Sequence, residues 1–233
     1  MAAARVGEIE ALLDLYAVTG SQREEVLASA RGVRDRCWWH PYGDMINESF
    51  ETQLIMEDEA KSVRTYQPNL VPGLLQTQRY ATELIETQSD LPLEQVHQQA
   101  SLRAKRQQVL TRPSAPHLSV IIDEAVLWRP VGGRAVMREQ YAFLAEVAGA
   151  SGMTIKVLPF QAGPHHVPGL GFHIFSFGAT EQSVVELELL DRVRFVAEPR
   201  EVAHYERAFE SASSQALDAQ DSKLLLAKFA AAE

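Results

Sequence analysis

Between Pro116 and Pro159 the chain alternates strand, helix and strand, and that order constrains the fold more than any other feature. His117 to Asp123 carries Leu118, Val120, Ile121 and Ile122, a short run rich in β-branched residues that predicts a buried strand. A turn around Pro130 to Gly133 leads into an expected helix from Ala135 to Ala148, which Gly152 stops. Thr154 to Pro159 is then a second expected strand. Two strands joined through a helix predict a parallel pair with a right-handed crossover.

Helices flank this unit on both sides. Val6, Ile9, Leu12, Leu13 and Tyr16 fall at helical spacing. Ser21 stands three residues before Glu24, the pattern of a capping box, and opens a helix that turns Val26, Leu27, Ala30 and Val33 inward. Arg31, Arg34 and Arg36 near its end suit the helix dipole better than they suggest phosphate binding. The aromatic knot Trp38-Trp39-His40-Pro41-Tyr42 breaks that helix, and Phe50 to Val63 resumes it. Arg64 to Pro68 must leave the helix, because a proline biases the residue before it towards extended backbone. Val71 to Thr77 reads as a turn into a helix through Tyr80, Leu84 and Ile85, and a polar helix follows through Val96 and Leu102 to about Thr111.

After the strand–helix–strand unit, Gln161 to Gly171 reads as a loop. Phe172 to Phe177 and Ser183 to Leu190 are expected strands, and Arg194 to Val196 adds a short third. Two helices, Glu198 to Ala216 and Asp221 to Ala231, follow. The expected class is therefore α/β (α+β): a helical N-terminal region, a small mixed β-sheet with packed helices, and C-terminal helices.

Composition narrows the function classes. With 46% hydrophobic residues, the 233-residue chain can bury a sizeable core. It contains no apolar run long enough for a membrane helix and no signal-peptide pattern at Met1 to Glu10. The single cysteine, Cys37, cannot form an internal disulfide, so a cytoplasmic setting is expected. A net charge of -9 argues against autonomous nucleic-acid binding, which normally draws on a basic face.

Strong catalytic signatures are absent from the sequence: it has no phosphate loop, no GxSxG elbow and no zinc spacing. Pro168-Gly169-Leu170-Gly171 contains GxG but leads into a strand, not a helix. His165-His166 is an adjacent pair with no nominated metal partners, so neither a metal nor a cofactor is expected. Polar residues instead crowd element boundaries. Asp123-Glu124 ends the first strand of the unit and Arg129 follows, at the strand end where ligands dock in open α/β sheets. A second group, Glu51, Glu59, Arg64, Tyr66, Gln76 and Tyr80, brackets the Val71-Pro72-Gly73 turn. Trp38, Trp39 and Trp128 are large enough to enclose an apolar ligand, although adjacent tryptophans are more often packing anchors. At any single position, surface neutralisation and helix solvation explain such charges better.

Glu57-Asp58-Glu59-Ala60-Lys61-Ser62-Val63-Arg64-Thr65-Tyr66-Gln67-Pro68, running into Leu70-Val71-Pro72-Gly73-Leu74-Leu75-Gln76-Thr77, resembles the hallmark of a large actinobacterial family. Ile122 to Leu127, Arg129 to Gly133, Val157 to Phe160, and Trp38-Trp39-His40 followed by Tyr42-Gly43-Asp44 match it too. On these motifs the chain is similar to the DUF5753 (Scr1-type antitoxin-like) effector domain of Xre-family helix-turn-helix regulators. The resemblance implies a regulatory or antitoxin-like module that binds a ligand or a small partner protein. It brings no catalytic residues. The Val6 to Tyr16 helix matches the last helix of the DNA-reading bundle, so the recognition helix is expected to be missing; the resemblance implies a remnant of that bundle over residues 1–46 and the effector domain over 47–233. Trp128, Gln53 and the charged stretch from Ser183 to Val196 depart from the family pattern.

Two readings lead at this stage, ahead of a third in which the chain binds DNA through a partner, with Arg31, Arg34 and Arg36 touching phosphates. One is a ligand- or partner-binding effector module, with a homodimer as one arrangement. Trp38, Trp39, Glu51, Glu59, Arg64, Tyr66, Gln76, Tyr80, Asp123, Glu124, Trp128 and Arg129 are its candidate binding residues. The other is an enzyme recruited from the same scaffold, acting on a secondary metabolite with Glu51 or Asp123 moving a proton.

Overall fold

The computed structural model describes residues 6–16, 18–24, 26–27, 38–167, 169–178, 182–189 and 192–232. Arg31, Arg34, Arg36, Cys37 and Pro168, singled out in the sequence, lie outside them. The chain divides into two compact units, residues 1–54 and 55–233.

In the first unit, helix α1 spans Val6–Leu15. Gly20, at φ +67°, leads into helical residues 20–24 and 26–27. Ser21 therefore lies within the first turn of this helix, directly after a glycine whose missing Cβ permits the positive φ. Arg23 Nη1 meets Asp14 Oδ1 at 2.7 Å and ties that turn to α1. Trp38 and Trp39 pack edge to face, 5.6 Å between ring centroids, with Trp39 buried. A 3-10 helix over His40–Met45 follows, with Pro41 in its first turn, where a missing N–H costs nothing. Helix α2 spans Glu48–Glu59, and Asn47 Oδ1 caps it by accepting the Phe50 amide at 2.9 Å.

The second unit is built on one six-stranded sheet. Its strands are β1 (Ser62–Gln67), β2 (His117–Asp123), β3 (Met153–Leu158), β4 (Phe172–Ser176), β5 (Val184–Glu188) and β6 (Val193–Val196). Their order is β3-β2-β1-β4-β5-β6. The first three pair in parallel, and β4, β5 and β6 add on antiparallel, so the sheet is mixed and β1 is its seam. The helices are α3 (Gln78–Gln88), α4 (Leu93–Arg106), the single turn α5 (Ala125–Trp128), α6 (Arg134–Val147), α7 (Pro199–Gln215) and α8 (Ala219–Ala231). The α/β class and the parallel pair stand as the sequence predicts.

One element differs. The helix expected to run through Val63 ends at Glu59, and Ser62–Gln67 is a central strand. Both of its faces are covered, so it lacks the apolar–polar alternation that marks a half-exposed strand. Its polar side chains find partners far along the chain instead. Thr65 Oγ1 donates to the Phe172 carbonyl at 3.1 Å, and Arg64 pairs with Glu206 at 2.6 Å.

Three layers result. On one face Val63, Val120, Ile122, Ile155, Val157 and Phe175 pack with Tyr80 and Leu84 of α3, Val136, Tyr141 and Leu144 of α6, and Leu226 of α8. On the other, Tyr66, Ile121, Leu158, Ile174 and Val185 pack with Val202, Ala208, Phe209 and Ala212 of α7. A small satellite of Ala81, Ile85, Val96 and Ala100 seals α3 against α4.

Candidate functional site

The sheet itself selects a location. The connection leaving β1 moves to β2 on one side, whereas the connection leaving β3 returns across to β4 on the other side of β1. In open α/β sheets ligands dock at the carboxyl ends of the parallel strands, which points to the edge where β1, β2 and β3 end. Tyr66 lies opposite Phe172 in the β1–β4 register, so the start of β4 shares this edge with the ends of β1, β2 and β3.

Three side chains from three segments converge there. Tyr66, at the end of β1, donates its hydroxyl to Asp123 Oδ2 at 3.4 Å. Asp123, the last residue of β2, also approaches His165 Nε2 at 3.9 Å. His165 comes from the loop between β3 and β4, and its ring lies edge-on to Tyr66 with 6.0 Å between centroids. Asp123 Oδ1 accepts the Ala125 amide at 2.9 Å, which pins the carboxylate at the head of α5. The Tyr66 phenol is pushed up from its ordinary value by burial and then by the Asp123 carboxylate, so it stays protonated as a donor. His165 Nδ1 is buried without a hydrogen bond. Asp123 and His165 keep 18% and 20% of their side-chain surface open, so a ligand can reach them.

Glu124 is next to this corner but occupied. One oxygen accepts the Trp128 indole N–H at 3.1 Å and the other the Phe160 amide at 2.8 Å. That carboxylate holds two exposed aromatic residues in place, and Trp128 also packs edge to face on Phe229. Arg129 is exposed beside it.

The remaining candidates lie elsewhere. Arg64 points to the α7 side, where it pairs with Glu206 and Glu210 and lies over the Phe209 ring. Gln76 and Tyr80 hold the 71–77 turn. Gln76 Nε2 donates to the Val71 carbonyl at 2.8 Å, and Tyr80 Oη accepts the Val71 amide at 3.3 Å. Gln140 completes that bracing, accepting from the Thr77 amide and donating to the Leu75 carbonyl. Glu59 is exposed at the end of α2. Trp38, Trp39 and Glu51 belong to the first unit. Of the twelve candidates, Tyr66 and Asp123 meet directly and Glu124 adjoins them.

Sequence reasoning had set His165 aside as half of an unsupported metal pair. Its place in the loop that enters β4 from the carboxyl edge was the signal available. It also missed a buried polar layer over the antiparallel half of the sheet. Thr65, His173 and Glu186 lie side by side across β1, β4 and β5, and all three are buried. Arg106 of α4 faces this region and grips Glu57 of α2 with Nε and Nη2. Gly73 leaves the space that Arg106 fills, since a Cβ there would sit 3.3 Å from Nη1. Burial opposes the Arg106 charge, but Glu57, Glu186 and Glu188 outweigh it and hold the guanidinium protonated. Burial, with Arg106 adding to it, pushes the His173 imidazole down to about 3, so this ring is neutral. Gln67 Nε2 lies 3.2 Å from His173 Nε2 and 3.3 Å from Thr65 Oγ1.

Among the described residues, no group of three or more His, Cys, Asp or Glu side chains is arranged to hold a metal ion, and no helix is long and apolar enough to cross a membrane. Comparisons with curated proteins and with solved structures find no match. A family model does match, over residues 50–228, and it takes in the whole sheet, α3 to α7 and most of α8. The chain belongs to the DUF5753 family, a domain of unknown function.

Proposed function

We propose that residues 55–233 form a binding module for a small molecule, with its site at the corner made by Tyr66, Asp123 and His165. The observation that carries this reading is the meeting of those three polar side chains where the sheet connections diverge. Core packing does not require a carboxylate, a phenol and an imidazole at one strand edge, and buried polar groups persist only where something satisfies them. The family motifs support an effector role beside an Xre-type DNA-reading region in an actinobacterial cytoplasm. In that setting the module senses a metabolite or docks a small partner protein, as a monomer or a homodimer, and does not read DNA on its own.

The second reading is acid–base catalysis at the same corner, and the Asp123–His165 approach favours it. In that reading Asp123, or His165 Nε2 beside it, takes or delivers the proton.

Native mass spectrometry of the protein, before and after incubation with a bacterial metabolite extract, tests both. Capture of a compound that stays unchanged, and its loss in the Asp123→Ala/His165→Ala variant, is the expected result. A captured compound replaced by a new mass transfers the case to catalysis. No capture, or equal capture by the variant, overturns the assignment of the site.

A further inference from the structure

Resting on that reading of the corner, we infer that its ligand is a cation: a protonated amine carrying a short apolar body. The argument is an inventory of donors and acceptors. Asp123 has two oxygens and about four lone-pair directions. One well-formed hydrogen bond reaches it, from the Ala125 amide, and the Tyr66 hydroxyl adds a long one at 3.4 Å. Among the described residues no Lys or Arg pairs with Asp123; its nearest group able to carry a positive charge is His165 Nε2 at 3.9 Å. The Asp58 and Glu57 carboxylates are different, since each is gripped by an arginine. Glu206 and Glu201 pair with Arg64 and Arg194. Asp123 is thus a partly buried carboxylate short of donors in a protein that pairs such groups elsewhere.

His165 leaves that carboxylate open: its Nε2 lies 3.9 Å away, beyond hydrogen-bond reach, and its Nδ1 is buried. The open function of the corner is therefore the Asp123 carboxylate, an acceptor. A carboxylate or phosphate ligand would add negative charge beside it and bring no donor. An ammonium ion brings up to three N–H donors and the compensating charge. Ala162, Leu170 and Tyr205, half-buried and packed on the same apolar cluster, supply the surface for a hydrocarbon body. Tyr66, Phe172 and Tyr205 form a chain of aromatic rings in that cluster, 6.0 and 5.3 Å between centroids; the first two are buried, and Tyr205 is half-buried.

Isothermal titration of the full chain with a graded set of alkylamines, from ethylamine to 2-phenylethylamine, tests this against carboxylates of matched length up to 3-phenylpropionate. Saturable binding of at least one amine and none of the carboxylates is expected. Asp123→Asn keeps an oxygen for the Ala125 amide but removes the charge, and it weakens amine binding by ~10-fold or more. Circular dichroism melting confirms that this variant folds. If it does not fold, the wild-type contrast between amines and carboxylates decides alone. Equal or preferred binding of carboxylates, amine binding indifferent to Asp123→Asn, or no binding of any amine each overturns the inference. Capture of a neutral or anionic metabolite that depends on Asp123, in the native mass experiment, overturns the cation and leaves the binding module standing. If that experiment also captures nothing, the module falls as well.

Discussion

Replacing Arg106 by leucine strands Glu57 in the interior. Glu57 is 2% exposed and Arg106 5%, and two guanidinium nitrogens hold the two carboxylate oxygens. Removing one partner of a buried ion pair costs about 3–5 kcal/mol, because the surviving charge keeps its desolvation penalty and loses its compensation. Here the loss falls in the upper part of that range, since Glu186 and Glu188 also draw on the same positive charge. For a unit of this size, about 4 kcal/mol corresponds to a fall in Tm of about 10 °C. Glu57→Gln is milder: Arg106 retains the fields of Glu186 and Glu188, and about 3 kcal/mol is expected. The double variant Glu57→Leu/Arg106→Leu recovers most of the loss, because neither charge then remains buried. Urea denaturation of the wild type, both single variants and the double gives the cycle directly. A deficit below about 1 kcal/mol, or a double variant weaker than both singles combined, refutes the reasoning.

Three further outcomes follow from other parts of the molecule. His173 is held neutral in the folded chain, its pKa lowered to about 3 by burial and by Arg106, so the unfolded chain binds a proton that the folded one does not. Its contribution is complete above about pH 6.5 and is lost at up to about 1.4 kcal/mol per pH unit as pH falls towards 3. His173→Gln flattens that acid limb in melting curves, and an unchanged limb contradicts the assignment. Gly132→Ala is expected to cost about 1–3 kcal/mol: Gly132 has φ +64°, and a Cβ there would lie 2.9 Å from Val136 Cγ2 as well as against Glu83. Chemical denaturation reads it, and a neutral effect would show that the turn relaxes freely. Gln140→Ala leaves the Leu75 carbonyl and the Thr77 amide without their side-chain partner, for a loss of about 1–3 kcal/mol. Faster amide exchange at Thr77 is the local sign, and unaltered exchange there would mean that Gln140 does not brace the turn.

Much of the fold was legible because its signals are local. The run at Leu118 to Ile122, the Gly152 stop and the helix between them carry the parallel pair whatever surrounds it. β1 was harder to read because its partners are not local: Arg64 and Thr65 become acceptable in a buried strand only through Glu206 and the Phe172 carbonyl, more than a hundred residues away. The charged stretch around Glu186 looked irregular for the same reason. A buried glutamate in a strand makes sense once Arg106 faces it, and no spacing rule links positions 106 and 186. At the corner, Asp123 was readable from its place at a strand end, and Tyr66 as a polar aromatic beside the turn. His165 was not, because a loop histidine gains meaning only from what the loop is folded against. Gln76 and Tyr80 show the converse: polar groups crowded at a turn brace its own backbone.

The β1 seam also sets a timetable for synthesis on the ribosome. Ser62 pairs with both His117 and Ser176, so the central strand waits for more than a hundred residues before its second neighbour emerges. The face bearing Tyr66, Ile121, Leu158 and Ile174 waits longer still, until α7 brings Val202, Phe209 and Ala212 over it. Until then the nascent sheet displays a broad apolar surface, the kind of exposure that invites chaperone binding and aggregation. A chain released before α7 is made would leave that face uncovered, so the last helices to emerge are the ones that end the exposure.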